Sequence, residues 1–306
     1  TQWSSSAASD VYKRQFLHEM SINSSFSHRG LEPEKKVLYI VGTPIGNLDD
    51  ISFRALNILK NVSLIACEDT RQTKKIMSRF KISNKLISFN KINSFERIPQ
   101  IINYLKSGES VALVSDAGMP SICDPGEDLV KIAKFNSIDI ICIPGPCAAL
   151  TALVTSGMNA SSFIFEGFLP RKKKDREKIL FEISNTEKTT ILYESPHRIK
   201  KLLEELKKHC GGDREIQVSR ELTKKFEEHI GNDINDVINF FQDKEIFGEI
   251  TLIINGTNKL GNSDIDVAFL KKELNELIYS GISLTSASKY LAKKFGLKKN
   301  LIYNLK

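Results

Sequence analysis

From Val37 onward, short and wholly apolar runs alternate with amphipathic stretches. VLYIV (residues 37–41) leads through a Gly/Pro loop into the helix-like FRALNILK. SLIAC (63–67), KLISF (85–89), SVALVS (110–115) and IDIICI (138–143) follow, each separated by a helix-like stretch. Strands apolar on both faces need helices over both faces, which predicts an α/β unit with a mainly parallel sheet. In CDPGEDLV the spacing makes Asp124 a helix N-cap, with Pro125 at the first helical position and Glu127 at the third. CAALTALVTSG, after Pro144–Pro146, reads as a buried helix ending at Gly157.

A second run of elements starts near Ser161. FIFEGF, TTILYE (189–194), EIQVSREL and GEITLIING (248–256) are strand-like, with helices predicted over 176–182 and 199–210. The expected organisation is two α/β domains, 37–147 and 148–258, followed by a basic helical tail over 259–306. Residues 1–36 are Ser-rich and lack an apolar core segment, so they are expected to form a disordered or non-native leader. The tail, LKKELNELI and then LTSASKYLAKKFGLKKNLIYNLK, fits a small helix-turn-helix and a capping hairpin equally well.

Composition narrows the function. No apolar stretch approaches the ~20 residues of a spanning helix, which excludes an integral helical membrane protein. Five cysteines (67, 123, 142, 147 and 210) are scattered without C-x-x-C, and His197, His209 and His229 lack ligand spacing. Neither disulfides nor a metal site are expected, and a reducing cytoplasm fits. The formal charge is +7, but it is concentrated. The last 24 residues hold six lysines and no acid, and RKKKDR (171–176) holds five bases and one acid. Remove these and the body is mildly acidic, a pattern that favours a polyanionic partner.

Four loops fall at the same sheet edge, where open α/β sheets bind ligands. VGTPIGNLDD (41–50) has glycines four apart, so it is neither G-x-G-x-x-G nor a P-loop. ACEDTR (66–71) sets two carboxylates and an arginine just after a strand. SDAGMPSICDPG (115–126) and IPGPCAAL (143–150) add an Asp, glycine turns and a helix start with open backbone N–H groups. Together they suit a small, polar, nucleotide-like ligand.

TPIGNLDDIS, RALNILKNV, IACEDTR, ALVSDAG, DPG, PGPCAALTAL, FEGFLPRK, YESPHR and RELTK occur in this order. The set closely resembles the bacterial 16S rRNA ribose-2′-O-methyltransferase I family, within the tetrapyrrole (uroporphyrin/precorrin) methylase superfamily. The resemblance implies a two-domain tetrapyrrole-methylase-like fold with S-adenosylmethionine in the interdomain cleft, and a homodimer. It implies a cytidine ribose in the 16S rRNA of the small ribosomal subunit as substrate. It assigns the cofactor to Thr43, Pro44, Ile45, Ser115, Asp116, Ala117, Met119, Cys147 and Ala148, with second-domain contacts near Tyr193, Glu194 and Glu221. Met119 stands where members commonly carry Thr. Arg171, Lys172, Lys173, Lys174, Arg176, His197, Arg198, Lys298 and Lys299 are the expected RNA contacts. For the proton of the ribose hydroxyl, Glu68, Asp69, Arg71 and Glu166 are candidates by loop position; Glu68 and Asp69 equally fit a salt bridge to Arg71. A superfamily relative that methylates a small molecule and a non-catalytic RNA-binding protein are the competing readings.

Overall fold

A computed structural model describes residues 31–257, 267–295 and 299–305. Most of the expected leader, the 258/259 boundary and Lys298 lie outside the described residues. The end of that leader is packed, not loose. Glu32 is buried and takes two bonds from the Arg54 guanidinium, at 2.8 and 2.6 Å. The folded chain therefore begins before Val37, because an ion pair, and not an apolar run, anchors it.

The first sheet contains β1 (Val37–Val41), β2 (Leu64–Cys67), β3 (Leu86–Ser88), β4 (Val111–Val114) and β5 (Asp139–Ile143), in the order β3-β2-β4-β1-β5. Every pairing is parallel. Alternation along β1 explains its unbroken apolar run. Val37, Tyr39 and Val41 join one core with Ile58 and Leu59, while Leu38 and Ile40 join another with Ile101, Leu105 and Leu129. Because the strands are parallel, the loops after β1, β2, β4 and β5 all emerge at one edge.

The second sheet runs β6-β7-β10-β8-β9: Phe163–Phe168, Thr189–Glu194, Ile250–Ile254, Glu215–Arg220 and Glu228–Asp233. Only β6 and β7 are parallel; the other three pairings are antiparallel. Helices Lys173–Asn185, Ile199–Cys210 and Ile234–Phe241 cover one face around Leu180, Leu203 and Val237. Helix Ala148–Ser156 covers the other, through Ala149, Ala152 and Leu153 against Ile191 and Ile253. Ile45 joins that cluster from the first sheet's edge, so the two units share apolar contacts. β9, EHIGND, has no strand-like apolar run because it is an edge strand, half in solvent.

The tail forms helices Val267–Tyr279, Leu284–Phe295 and Lys299–Tyr303 around their own small core of Leu274, Ala287, Leu291 and Ile302.

Candidate functional site

A cavity of about 330 Å³ opens between the two units. Ile45 reaches it from the loop after β1; residues 117–119 and 122–124 come from the loop after β4, and Cys147 and Ala148 from the helix start after β5. Phe168, Tyr193–Pro196 and Gly248–Thr251 close it from the second sheet.

The loops after β1 and β5 meet backbone to backbone. A Cβ on Gly42 would lie 2.7 Å from Gly145 Cα and 2.6 Å from Met119 Sδ. Glycine at both positions lets the first and last loops touch, and the Met119 thioether packs over the contact. The Thr43 hydroxyl is buried and donates to the carbonyl of Ser115 at 3.2 Å. Thr43 also pairs in a two-residue bridge with Gly118. These bonds make Thr43 and Ser115 braces for the loops; neither they nor Pro44, Asp116 and Glu221 are among the residues lining the cavity. The remaining expected cofactor residues, Ile45, Ala117, Met119, Cys147, Ala148, Tyr193 and Glu194, do line it.

Glu194 contributes little carboxylate to the cavity. Its side chain is buried, with Arg198 Nε 3.2 Å from Oε1 and Arg176 Nη1 3.7 Å from Oε2. The Ser195 N–H also donates to Oε1, whereas Oε2 accepts no hydrogen bond. Tyr193 stands upright: its phenolic oxygen accepts the Ala149 N–H at 3.1 Å, and burial pushes its ionisation far up. Glu221 is held elsewhere, by Lys224 Nζ and the Glu249 N–H.

The candidate proton acceptors separate cleanly. Asp69 caps helix Thr70–Arg79 and takes three contacts of 2.6 to 3.0 Å from Arg71, which hold its ionisation down to about 2. Paired with Arg71 and ionised down to about pH 2, Asp69 is a weak base. Glu166 sits at a bulge in β6 and is not among the lining residues. Glu68 accepts from the Asp116 N–H and is raised by burial and by the Asp116 charge. Asp116 in turn accepts the Asp69 N–H at 2.9 Å and is itself raised by burial.

Sequence reasoning missed Asp124 as a site residue. It is not the helix cap: the helix runs Glu127–Phe135, and its N-cap is Gly126 at φ +146°, a conformation for glycine. Ser121 and Cys123 also take positive φ, 70° and 65°, so the segment coils back and Asp124 lines the cavity. Burial and the neighbouring Glu68 push its carboxyl up to about 6, while Ser115 and Lys91 pull the other way. An Asp-Pro-Gly sequence with Gly three positions before the apolar helix face was the one available signal.

The basic segments divide too. Arg171, Lys172, Lys173 and Lys174 are exposed. Arg176 is not: it is 7% exposed, its Nε 2.6 Å from Glu205. Arg198 donates to the Leu169 carbonyl and pairs with Glu194. Both guanidinium groups, expected to contact RNA, are engaged within the fold, Arg176 with Glu194 and Glu205 and Arg198 with Glu194 and the Leu169 carbonyl. His197 and Lys299 are exposed.

Residues 37–237 match the profile of the Tetrapyrrole (Corrin/Porphyrin) Methylases. The ribosomal RNA small subunit methyltransferase I of Bacillus subtilis (strain 168) is 42% identical over 267 residues, spanning 87% of this chain and 90% of that protein. The protein of the same name from Vibrio cholerae serotype O1 is 41% identical over 269 residues, 87% of this chain and 93% of its own. Among solved structures, a cobalt precorrin-4 methyltransferase of cobalamin biosynthesis superposes with a TM-score of 0.56 at 16% identity, over 72% of this chain and 95% of that one. A diphthine synthase gives 0.54 at 12% identity, over 72% and 89%. At those identities the likeness is one of fold. The chain belongs to the tetrapyrrole (corrin/porphyrin) methylase family and, within it, to the ribosomal RNA small subunit methyltransferase I proteins.

Proposed function

We propose that the protein transfers the methyl group of S-adenosylmethionine to the ribose 2′-oxygen of a cytidine in 16S rRNA, within the small ribosomal subunit. The observation that carries this reading is an interdomain cavity with an exposed cationic run, Arg171–Lys174, starting three residues beyond its Phe168 wall. A relative acting on a small molecule has little use for those cations.

The cavity fits the cofactor's chemistry. Cys147 makes no side-chain cap for helix Ala148–Ser156 and the Tyr193 hydroxyl takes only the Ala149 N–H, so the helix start keeps its other backbone N–H groups and a positive dipole end for a carboxylate. Ile45, Ala117 and Met119 offer apolar contact. When bound, the cofactor supplies an electrophilic methyl group on a sulfonium. The chain's work is then to orient the hydroxyl and accept its proton. In this reading Asp124 is the acceptor: its carboxylate would take the proton of the 2′-hydroxyl as that oxygen is methylated. Lys91, whose Nζ bonds the Cys123 carbonyl at 3.2 Å, holds the loop beside it. A homodimer and cytoplasmic action belong to the same reading and rest on the family resemblance.

The test is incubation with labelled S-adenosylmethionine and small subunits lacking the modification, followed by mapping of the label. The expected product resists alkaline cleavage at one cytidine, because the neighbouring 2′-hydroxyl is gone. Normal cleavage there would refute ribose methylation. Binding to subunits without any transfer would favour the non-catalytic reading.

A further inference from the structure

Phe168 is an aromatic ring left 54% exposed where it lines the interdomain cavity. Its position depends on a local departure from strand geometry. In β6, Phe165 pairs with Ile191 and Phe168 pairs with Tyr193, with a register shift between Phe165 and Gly167. Strand side chains alternate faces, so residues three apart should point opposite ways. The extra residue of the bulge cancels that and puts Phe165 and Phe168 on the same face as Tyr193. Both rings meet Tyr193, at centroid distances of 5.1 and 5.6 Å.

The surroundings hold the ring still. Gly167 takes φ +63°, and a Cβ there would lie 2.7 Å from Cys123 Sγ, so only glycine lets β6 approach the loop after β4. The Phe168 N–H donates to the Cys123 sulfur. Next in sequence, Leu169 is buried and its carbonyl is bound by Arg198 at 2.9 Å. A rigid aromatic face therefore stands at the cavity wall, and the exposed cations of Arg171–Lys174 begin three residues on.

We propose that Phe168 is the stacking platform for the target pyrimidine base of the RNA. This rests on the functional reading above and deepens it. Phosphates flanking the target nucleotide would lie along Arg171–Lys174, and the base, taken out of its stack, would rest on the ring and so fix the ribose for in-line attack. Stacking is blind to hydrogen-bonding pattern, so Phe168 positions the nucleotide and does not choose it. The adenine of the cofactor is the rival occupant of the same face.

The test compares wild type, Phe168→Ala and Phe168→Tyr by methyl transfer to unmodified small subunits and by calorimetry with S-adenosylmethionine. Phe168→Ala should lower kcat/KM for subunits by about 5- to 150-fold, the range expected when a base-stacking aromatic is truncated. Its cofactor affinity should fall by a smaller factor than kcat/KM, since the RNA base is absent from that equilibrium. Phe168→Tyr, which keeps the π face, should restore most of the rate. Unchanged transfer by Phe168→Ala overturns the proposal, as does failure of Phe168→Tyr to restore it. Loss of cofactor binding in Phe168→Ala would hand the ring to the adenine. Absence of transfer by the wild type would instead overturn the functional reading, and this proposal with it.

Discussion

Gly145→Ala tests whether the cavity's loops are set by a contact between two glycines. Neither Gly42 nor Gly145 has a positive φ, so what an alanine meets there is chiefly a matter of space. A Cβ on Gly145 would lie 2.8 Å from Gly42 Cα and 2.9 Å from its carbonyl carbon. Those are main-chain atoms and cannot rotate away. The loops after β1 and β5 must part, against the 3.0 Å bond from the Gly42 N–H to the Ile143 carbonyl. Forcing one methyl into such a contact costs about 1–3 kcal/mol. Because Ile45, Cys147 and Ala148 hang from these loops and Met119 packs against Gly42, a shift near 1 Å should also misplace the ligand and slow transfer by about 10²-fold. Gly157→Ala is the matched control. Gly157 has φ +70°, and an added methyl there would meet no atom within 4 Å, so its cost of about 1–2 kcal/mol is torsional and local. Thermal unfolding should show a loss of stability in both variants. Calorimetry and methyl transfer should show a loss only in Gly145→Ala. Wild-type cofactor affinity and rate in Gly145→Ala would refute the reasoning, as would an equal loss in Gly157→Ala.

Arg176→Ala strips Glu194 and Glu205 of a buried partner and should destabilise the fold by about 3–5 kcal/mol in urea unfolding. Lys172→Ala, at an exposed position that makes no side-chain cap bond, should change stability by less than about 0.5 kcal/mol but flatten the log–log salt dependence of RNA binding by about 0.7; equal stability loss in the two would contradict the assignment. Asp124 gives a pH signature. Its folded carboxyl holds a proton up to about 6, above an unfolded aspartate, so its contribution is full below the unfolded value and is lost as pH rises through about 6. Asp124→Asn should therefore gain stability on wild type above pH 6 and lose that advantage in acid, and the rise of wild-type kcat/KM through that range should vanish with it. An identical pH profile in the two enzymes removes Asp124 as the acceptor. Cys147→Ala should keep substantial activity, because oxygen methylation needs no thiol nucleophile; complete loss of transfer with cofactor binding intact would point to base chemistry instead.

Much of this protein is written in short-range pattern. An apolar run such as VLYIV needs cover on both faces, and β1 indeed feeds alternate side chains into two cores. TTILYE and the helix over 199–210 fall where periodicity puts them, since each element's buried face is decided by residues a turn or a pleat apart. The convergence of the four loops likewise follows from strand direction alone. Long-range packing decided the rest. RKKKDR reads as five equivalent cations, yet the fold leaves four in solvent and drives Arg176 between Glu194 and Glu205 on other elements. Asp124 looks like a cap until positive φ at Ser121, Cys123 and Gly126 turns it towards the cavity. Polar edge strand β9 carries no apolar signal because its partner is on one side only. Phe168 reaches the wall through a bulge that period-two reasoning cannot anticipate. A side chain's ionisation and reach depend on what is packed against it, and those neighbours come from distant parts of the chain.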